Sequence, residues 1–368
     1  MFKLAAGYVP AFMHQSLIPD DVELVELGFG AAKALFSSAS SGIDGYTGGY
    51  SCHFGRSPIT DVKELQSKFI DQLNDSVGKF GNLISFGFHL SGPVNSNIGN
   101  LGFTSHYVPS ISNERSAAAF LSRVREKTDT EVWLENANYY SSCGRSIIDV
   151  WHSNLEIAAV ANCRLIVDLA HLVIDCRNSG VSPEIILGMI PWRMVAEVHL
   201  SGISIDANKR FHDGHALPVH HECWRLLDII ACELQVLNED VYINIEHTDQ
   251  DWLENKILYN ADFEELRKLC LRANSNSMVT YDIDCHAVSD AKKYVKKKMR
   301  RIVSNLTEIS EVFGVSEVEL LDNWLTYESD NVCSISFARD EISCGSIYCV
   351  DAFRKYLDSL VVNHEIWR

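Results

Sequence analysis

Histidines and carboxylates recur at the ends of short apolar runs along the first two thirds of the chain: His53 in YSCHFG, His89 in SFGFHLSG, Glu135 in VWLEN, Asp168 with His171 in RLIVDLAHL, His199 in AEVHLSG, Asp213 with His215 in HDGH, and Glu246 in VYINIEH. Imidazole nitrogen and carboxylate oxygen together suit zinc, iron or manganese, and open coordination positions make such a site catalytic. Taken singly, a histidine ending a buried strand is most often a satisfied polar core group, and a strand-end carboxylate often caps the next helix. The joint order is hard to explain as independent accidents. These nine side chains exceed what one ion uses, and shared carboxylates imply two or three ions. His199, Asp213 and His215, in the stretch Ala196–Val219, are the candidate catalytic residues. Asn136 and Asn138 stand beside Glu135, either to orient it or to ligate through an amide oxygen. His14 and His106 remain open, while His212, His220, His221 and His247 read as flanking or surface groups.

Residues so far apart in the chain converge if every apolar run is a strand of one parallel barrel, whose strand ends share a face. Strands are expected near Lys3–Val9, Val22–Leu27, Gly49–Phe54, Leu83–Leu90, Glu131–Leu134, Leu165–Leu169, Glu197–Leu200 and Tyr242–Glu246. Between them, Ile59–Phe80, Ser112–Lys127 and the stretch after Pro218 carry apolar residues at helical spacing. The expected fold is α/β, a TIM (β/α)8 barrel over residues 1–255. A mostly helical C-terminal appendage over 256–368 would include helices at Asp262–Arg272, Ala287–Phe313, Ser316–Tyr327 and Ser343–Leu360. The Gly-, Asn- and Ser-rich loop Ser91–Pro109 is too long for a plain βα turn, and such loops shape substrate sites.

Composition narrows the partners. With 32 basic against 49 acidic residues the formal charge is −17, which repels nucleic-acid backbone and anionic membrane in the mean. The basic run Lys292–Arg301 reads as a solvated helix face offsetting acidic neighbours. Eleven scattered cysteines without a CxxC pair point to reduced thiols in a cytoplasmic protein, and none has a His/Asp context that marks a nucleophile. Neither a secretion signal nor a membrane span is expected, since MFKLAAGYVPAFMHQ lacks a long apolar run and no stretch of about 20 apolar residues occurs.

The succession CHFG, GFHLSG, WLENANYY, IVDLAHL, VHLSG, HDGHALPVHHECWRLL and NIEH resembles the multinuclear non-haem iron-dependent oxidative enzymes that modify cysteines of ribosomally made peptides. The resemblance covers roughly residues 1–250, and DGHALPV followed by ECWRLL is its most specific part. It implies a TIM barrel holding two or three iron ions in mixed ferrous and ferric states, with dioxygen as co-substrate. Carried over by position, the ligands would be His53, His89, Glu135, Asp168, His199, Asp213, His215 and Glu246. Many members have asparagine at His171, and the second-strand segment VELVELGF departs from the family's Glu-Asn ending, so neither Glu23 nor Glu26 is assigned. The implied substrate is a cysteine-containing precursor peptide, with hydrogen removal from the cysteine Cβ, and the implied partner is a small protein that recognises the peptide leader. The same ligand order also resembles the endonuclease IV group of zinc barrels, which keeps a phosphodiesterase or a sugar-isomerase-like metal barrel as the alternative.

Overall fold

The protein is described by a computed structural model, whose described residues are 2–8, 18–36, 42–94, 107–236, 240–275, 316 and 319–321. His14, His106, the basic run 292–301 and the helices expected beyond 275 lie outside them, apart from 316 and 319–321. Two compact units are present, one of Met1–Pro183 with Pro191–Ser277 and one of Glu184–Ile190 with Met278–Arg368.

Eight parallel strands close the barrel of the first unit: β1 (Phe2–Gly7), β2 (Leu24–Gly28), β3 (Gly49–Phe54), β4 (Leu83–His89), β5 (Glu131–Glu135), β6 (Arg164–Asp168), β7 (Val195–Leu200) and β10 (Val241–Ile245), the last pairing back onto β1. All eight fall on the expected runs. A two-stranded antiparallel ribbon, β8 (Ile203–Ile205) with β9 (Phe211–Asp213), interrupts the passage from β7 to the next helix. Among the described residues the helices are α1 (Phe29–Leu35), α2 (Lys63–Val77), α3 (Ile111–Thr128), α4 (Gly144–Ala161), α5 (Leu169–Ser179), α6 (Pro183–Leu187), α7 (His221–Val236) and α8 (Lys256–Ser275). The helix expected at Asp262–Arg272 is the second half of α8, and the boundary expected at 255/256 falls just before it. Helix α8 sits in the compact unit that holds the barrel.

Alternation along each strand sorts its side chains. Trp133, Ile166 and Leu24 each precede an acidic residue by two positions, and they join Ala5 and Ala196 in an apolar cluster. That cluster floors the polar layer above it, because residues two apart on a strand share a face. On the outside, Phe54 and Phe88 flank His53 and His89 in sequence and stack with ring centroids 5.0 Å apart. Phe120 of α3 packs on Phe88 edge-on at 5.4 Å. Each such aromatic pair adds about 0.5–1.5 kcal/mol beyond its buried area, so β3 and β4 are locked together where they present their histidines.

Turn chemistry supports the βα rhythm. Helix α3 begins at Ser110, whose hydroxyl accepts the Asn113 N–H at 3.2 Å, and it ends on Asp129 in the left-handed region at φ 50°. Helix α4 ends likewise on Asn162 at φ 49°, consistent with the tolerance of Asn and Asp for that conformation. Among the described residues, no helix is long and apolar enough to cross a membrane.

Candidate metal centre

All nine candidate residues meet at the C-terminal face of the barrel. Glu135, the last residue of β5, is completely buried, and its carboxylate is the hub. Its Oε2 lies 2.9 Å from His53 Nε2 and 3.2 Å from His89 Nε2, while Oε1 lies 3.3 Å from His171 Nδ1 and 3.7 Å from His199 Nδ1. His199 Nδ1 also stands 3.9 Å from Asp168 Oδ2 and 3.7 Å from Glu246 Oε2. Asp213 Oδ2 then links His171 Nε2, at 3.4 Å, to His215 Nε2, at 2.8 Å.

Asp168 and Asp213 divide their oxygens in the same way. Oδ1 of Asp168 accepts the His171 N–H at 2.6 Å and so caps α5, whereas its Oδ2 is a buried acceptor with no hydrogen bond. Oδ1 of Asp213 accepts from the Ser201 hydroxyl at 3.2 Å and from the Gly214 N–H at 2.9 Å, leaving Oδ2 for the two histidines. One oxygen fixes the backbone and the other faces the cluster. Asn136 orients rather than ligates: its amide donates to the Asp168 carbonyl at 3.0 Å and its side-chain oxygen accepts the Asp168 N–H at 2.9 Å. His171 Nδ1 is 2.8 Å from the Asn136 carbonyl oxygen, an acceptor, so that nitrogen carries the proton and Nε2 turns to Asp213.

Two glycines make room for this arrangement. A Cβ on Gly87, paired across β4 and β3 with His53, would lie 2.5 Å from His53 Nδ1. At Gly202 it would lie 2.6 Å from the Gly214 carbonyl oxygen, where the Gly214 N–H bonds back to the Gly202 carbonyl at 3.0 Å. That close approach folds the 201–220 excursion onto itself and brings Asp213 and His215 over the barrel mouth. Asn178 of α5 anchors the ribbon, exchanging two 2.9 Å hydrogen bonds with the backbone of Phe211.

Two acidic residues in the cluster were not assigned from sequence. Glu26 of β2 is buried, with Oε2 3.3 Å from His53 Nδ1 and 3.3 Å from His199 Nε2. Glu197 of β7 lies one layer deeper, with Oε1 3.4 Å from His199 Nε2. The signal for both was strand period: Glu197 precedes His199 by two and Glu26 follows Leu24 by two, so each must face inward. Glu23, on the opposite phase, pairs instead with Lys3 at 3.4 Å. Of the flanking histidines, His212 pairs with Asp206 at 3.2 Å, His220 and His221 rest against each other at 4.2 Å, and His247 is completely buried.

Electrostatics confirm how tightly charges are gathered. Burial alone would raise the Glu135 carboxyl, yet His89, His53 and His199 outweigh it and hold it well below the usual carboxylate range. Burial would likewise raise Glu26, and His53 and His199 reverse the sign. For Asp168 and Glu197 burial prevails, and each is pushed up to about 7. Burial would lower His215, but Glu246 and Asp213 overcome it and lift it to about 10. Buried ring nitrogens and carboxylate oxygens of Glu26, His53, Glu135, Asp168, His199 and Glu246 have no aligned hydrogen bond. Such groups are costly unless something else satisfies them. Three sets of ligand atoms lie within 4.8 Å of one another: His53, His89 and Glu135; Glu135, Asp168 and His199; and Glu26, His199 and Glu246. The residues therefore fit a cluster of hard or borderline cations.

A closed (β/α)8 barrel with its convergent polar residues at the C-terminal ends of the strands defines the class of this chain. Residues 61–252 match the family described as RiPP precursor modification enzyme MbnB/TglH/ChrH, and the chain belongs to that family. The matched span contains His89, Glu135, Asp168, His171, His199, Asp213, His215 and Glu246, whereas Glu26 and His53 precede it. A UPF0276 protein of Vibrio parahaemolyticus is 31% identical over 106 residues, 28% of this chain and 37% of that one. Another, from Vibrio vulnificus strain YJ016, is 26% identical over 151 residues, 37% of this chain and 52% of its own. The chain thus spans between about a third and a half of the curated relatives it matches. Among solved structures, a xylose isomerase domain containing protein from Salmonella typhimurium is 12% identical with a TM-score of 0.46, covering 73% of this chain and 97% of that one. The 3-keto-D-glucoside 4-epimerase of E. coli is 15% identical with a TM-score of 0.45, covering 73% of this chain and all of that one.

Proposed function

We propose that this chain is a multinuclear non-haem iron oxidase that uses dioxygen to modify a cysteine residue of a ribosomally synthesised precursor peptide. The observation that carries the reading is the buried hub at Glu135, where four imidazoles surround one carboxylate, in a chain of a precursor-modifying family. His53, His89 and Glu135 would hold one ion; Glu135, Asp168 and His199 a second, with Glu135 shared and Glu246 Oε2 also 3.7 Å from His199 Nδ1; and Asp213 and His215, 2.8 Å apart, would add a third beside His171. When bound, the irons supply one-electron oxidation with dioxygen at the cysteine thiolate, chemistry that no side chain of this set provides alone.

The chain's own residues do the rest. Glu197 lies beneath His199 and holds its lower ring nitrogen, which leaves the upper one for ligation. The apolar floor at Leu24, Trp133 and Ile166 keeps water from entering through the barrel. His215 is the most exposed of the five histidines, at 29% of its side chain against 9%, 12%, 3% and 0% for His53, His89, His171 and His199. Among the described residues, the peptide cysteine thus has its approach beside the Asp213–His215 segment. A small protein that recognises the peptide leader completes the proposed system, which would work in the cytoplasm.

The test combines metal analysis with a peptide assay. Anaerobic reconstitution with ferrous iron is expected to give two or three equivalents, and one equivalent or fewer would overturn the proposal. A cysteine-bearing precursor peptide should change mass with iron and dioxygen, while its Cys→Ser counterpart should not, because an alcohol is a far weaker ligand for iron than a thiolate. Nicking of abasic DNA that depends on His199, with no mass change in the cysteine peptide, would favour the zinc phosphodiesterase instead.

The raised His215 also makes metal uptake dependent on pH. A ligating imidazole must give up its proton, so ferrous iron added at pH 7 should release protons, detectable with an indicator dye. Affinity should rise as pH climbs from 7 towards 10, and a flat profile would contradict the ligand role. In the metal-free chain the stability effect runs the other way: the contribution of a raised histidine is full below about 6.5 and is lost as pH rises through about 10.

A further inference from the structure

Three buried side chains outside the ligand cluster tie down the segment that carries Asp213 and His215. Trp252, in the 3-10 turn Gln250–Leu253, donates its indole Nε1–H to the His215 carbonyl at 2.6 Å. His247 lies flat on that indole, with centroids 3.9 Å apart and planes 27° from parallel. Its Nε2 is 2.8 Å from Asp262 Oδ2, and since a carboxylate only accepts, Nε2 carries the proton. The same Oδ2 accepts the Val219 backbone N–H at 3.0 Å. Residues 215–219 are therefore held at both ends, through groups from the β10–α8 connection and from α8.

We propose that Trp252, His247 and Asp262 form a clamp that positions His215, and with it Asp213, for metal binding, a role that rests on reading those two residues as ligands. The excursion 201–220 has no part in the barrel ladder, and the pairing of its own ribbon ends at Asp213, so strand pairing does not reach His215. Ordering a free segment costs about 1–2 kcal/mol per residue, and a metal site tolerates ligand displacements of only about 0.5 Å. The clamp meets both demands with side chains that never reach the ions. These are positioning residues. His215 gains a second hold of its own, because its Nδ1 lies 3.0 Å from the Glu246 carbonyl oxygen.

Cobalt(II) titration of the whole chain, followed by visible absorption and calorimetry, tests the clamp with Trp252→Phe, which keeps the ring but deletes the donor, and with Asp262→Asn. Both variants should retain the ion at His53, His89 and Glu135 at wild-type affinity. The ion at Asp213 and His215 should bind about 10–100-fold more weakly. Uniform weakening of every ion would mark a general loss of stability and overturn the proposal, as would unchanged titrations. Hydrogen exchange gives a readout independent of metal: the Val219 amide of the metal-free chain should exchange faster in Asp262→Ala, and unchanged protection would overturn the clamp. A wild type that takes up no cobalt overturns the ligand reading and the proposal with it. Wild-type uptake with indistinguishable variants overturns the clamp alone.

Discussion

Replacing Glu135 by Gln should cut peptide oxidation at least about 10³-fold, because metal ions supply several kcal/mol of transition-state stabilisation and each 1.36 kcal/mol is worth tenfold. Its carboxylate touches four histidines within 3.7 Å, so no other single change disturbs as many candidate ligands. Two ions should be affected together, and iron content should fall by more than one equivalent. The metal-free variant should also lose stability, since Glu135 helps to raise His53, His171 and His199, which would keep only their other carboxylate partners. Inductively coupled plasma analysis and urea unfolding read the two effects separately. Normal iron content in a folded Glu135→Gln protein would remove Glu135 from the ligand set.

Asp213→Ala and His215→Ala should abolish activity to a similar degree while leaving the barrel intact. Both residues sit on the 201–220 excursion, outside the eight-stranded ladder, and the C-terminal face of such barrels serves chemistry more than stability. Circular dichroism and the unfolding midpoint should stay close to wild type, with the ion nearest the excursion lost. Unfolding of both variants would show that the Asp213–His215 pair holds the fold rather than the reaction.

The expected effects fall on residues that were legible to different degrees. Strand positions and the convergence of His53, Glu135 and His199 followed from apolar runs ending in polar residues, since parallel strands leave little freedom about where their ends lie. Glu26 lies in a segment that departs from the family motif, so strand period alone marks it, and its neighbour Glu23, three residues away, faces elsewhere. Helices α4 and α5 were not expected. In α5 the first residues, LAHLVID, are buried on nearly every side, so no amphipathic stripe marks them. The supporting pairs, Asn136 with Asp168 and Trp252 with His215, join residues 32 and 37 positions apart, and only the closed barrel brings them into contact. Asp262, in the stretch expected as an appendage, lies on α8 in the compact unit that holds the barrel.

Asp168 is the last residue of β6 and the N-cap of α5 at once, and no loop residue separates the two duties. Asparagine, serine or threonine could cap the helix equally well, and several side chains could serve the cluster. Aspartate satisfies both demands with a single short side chain. On the proposed ligand role, drift at this position would be filtered twice, because a substitution that keeps the helix start would still disarm the site. Asp168→Asn is then a natural route by which a folded, stable and inactive paralogue could arise from this barrel.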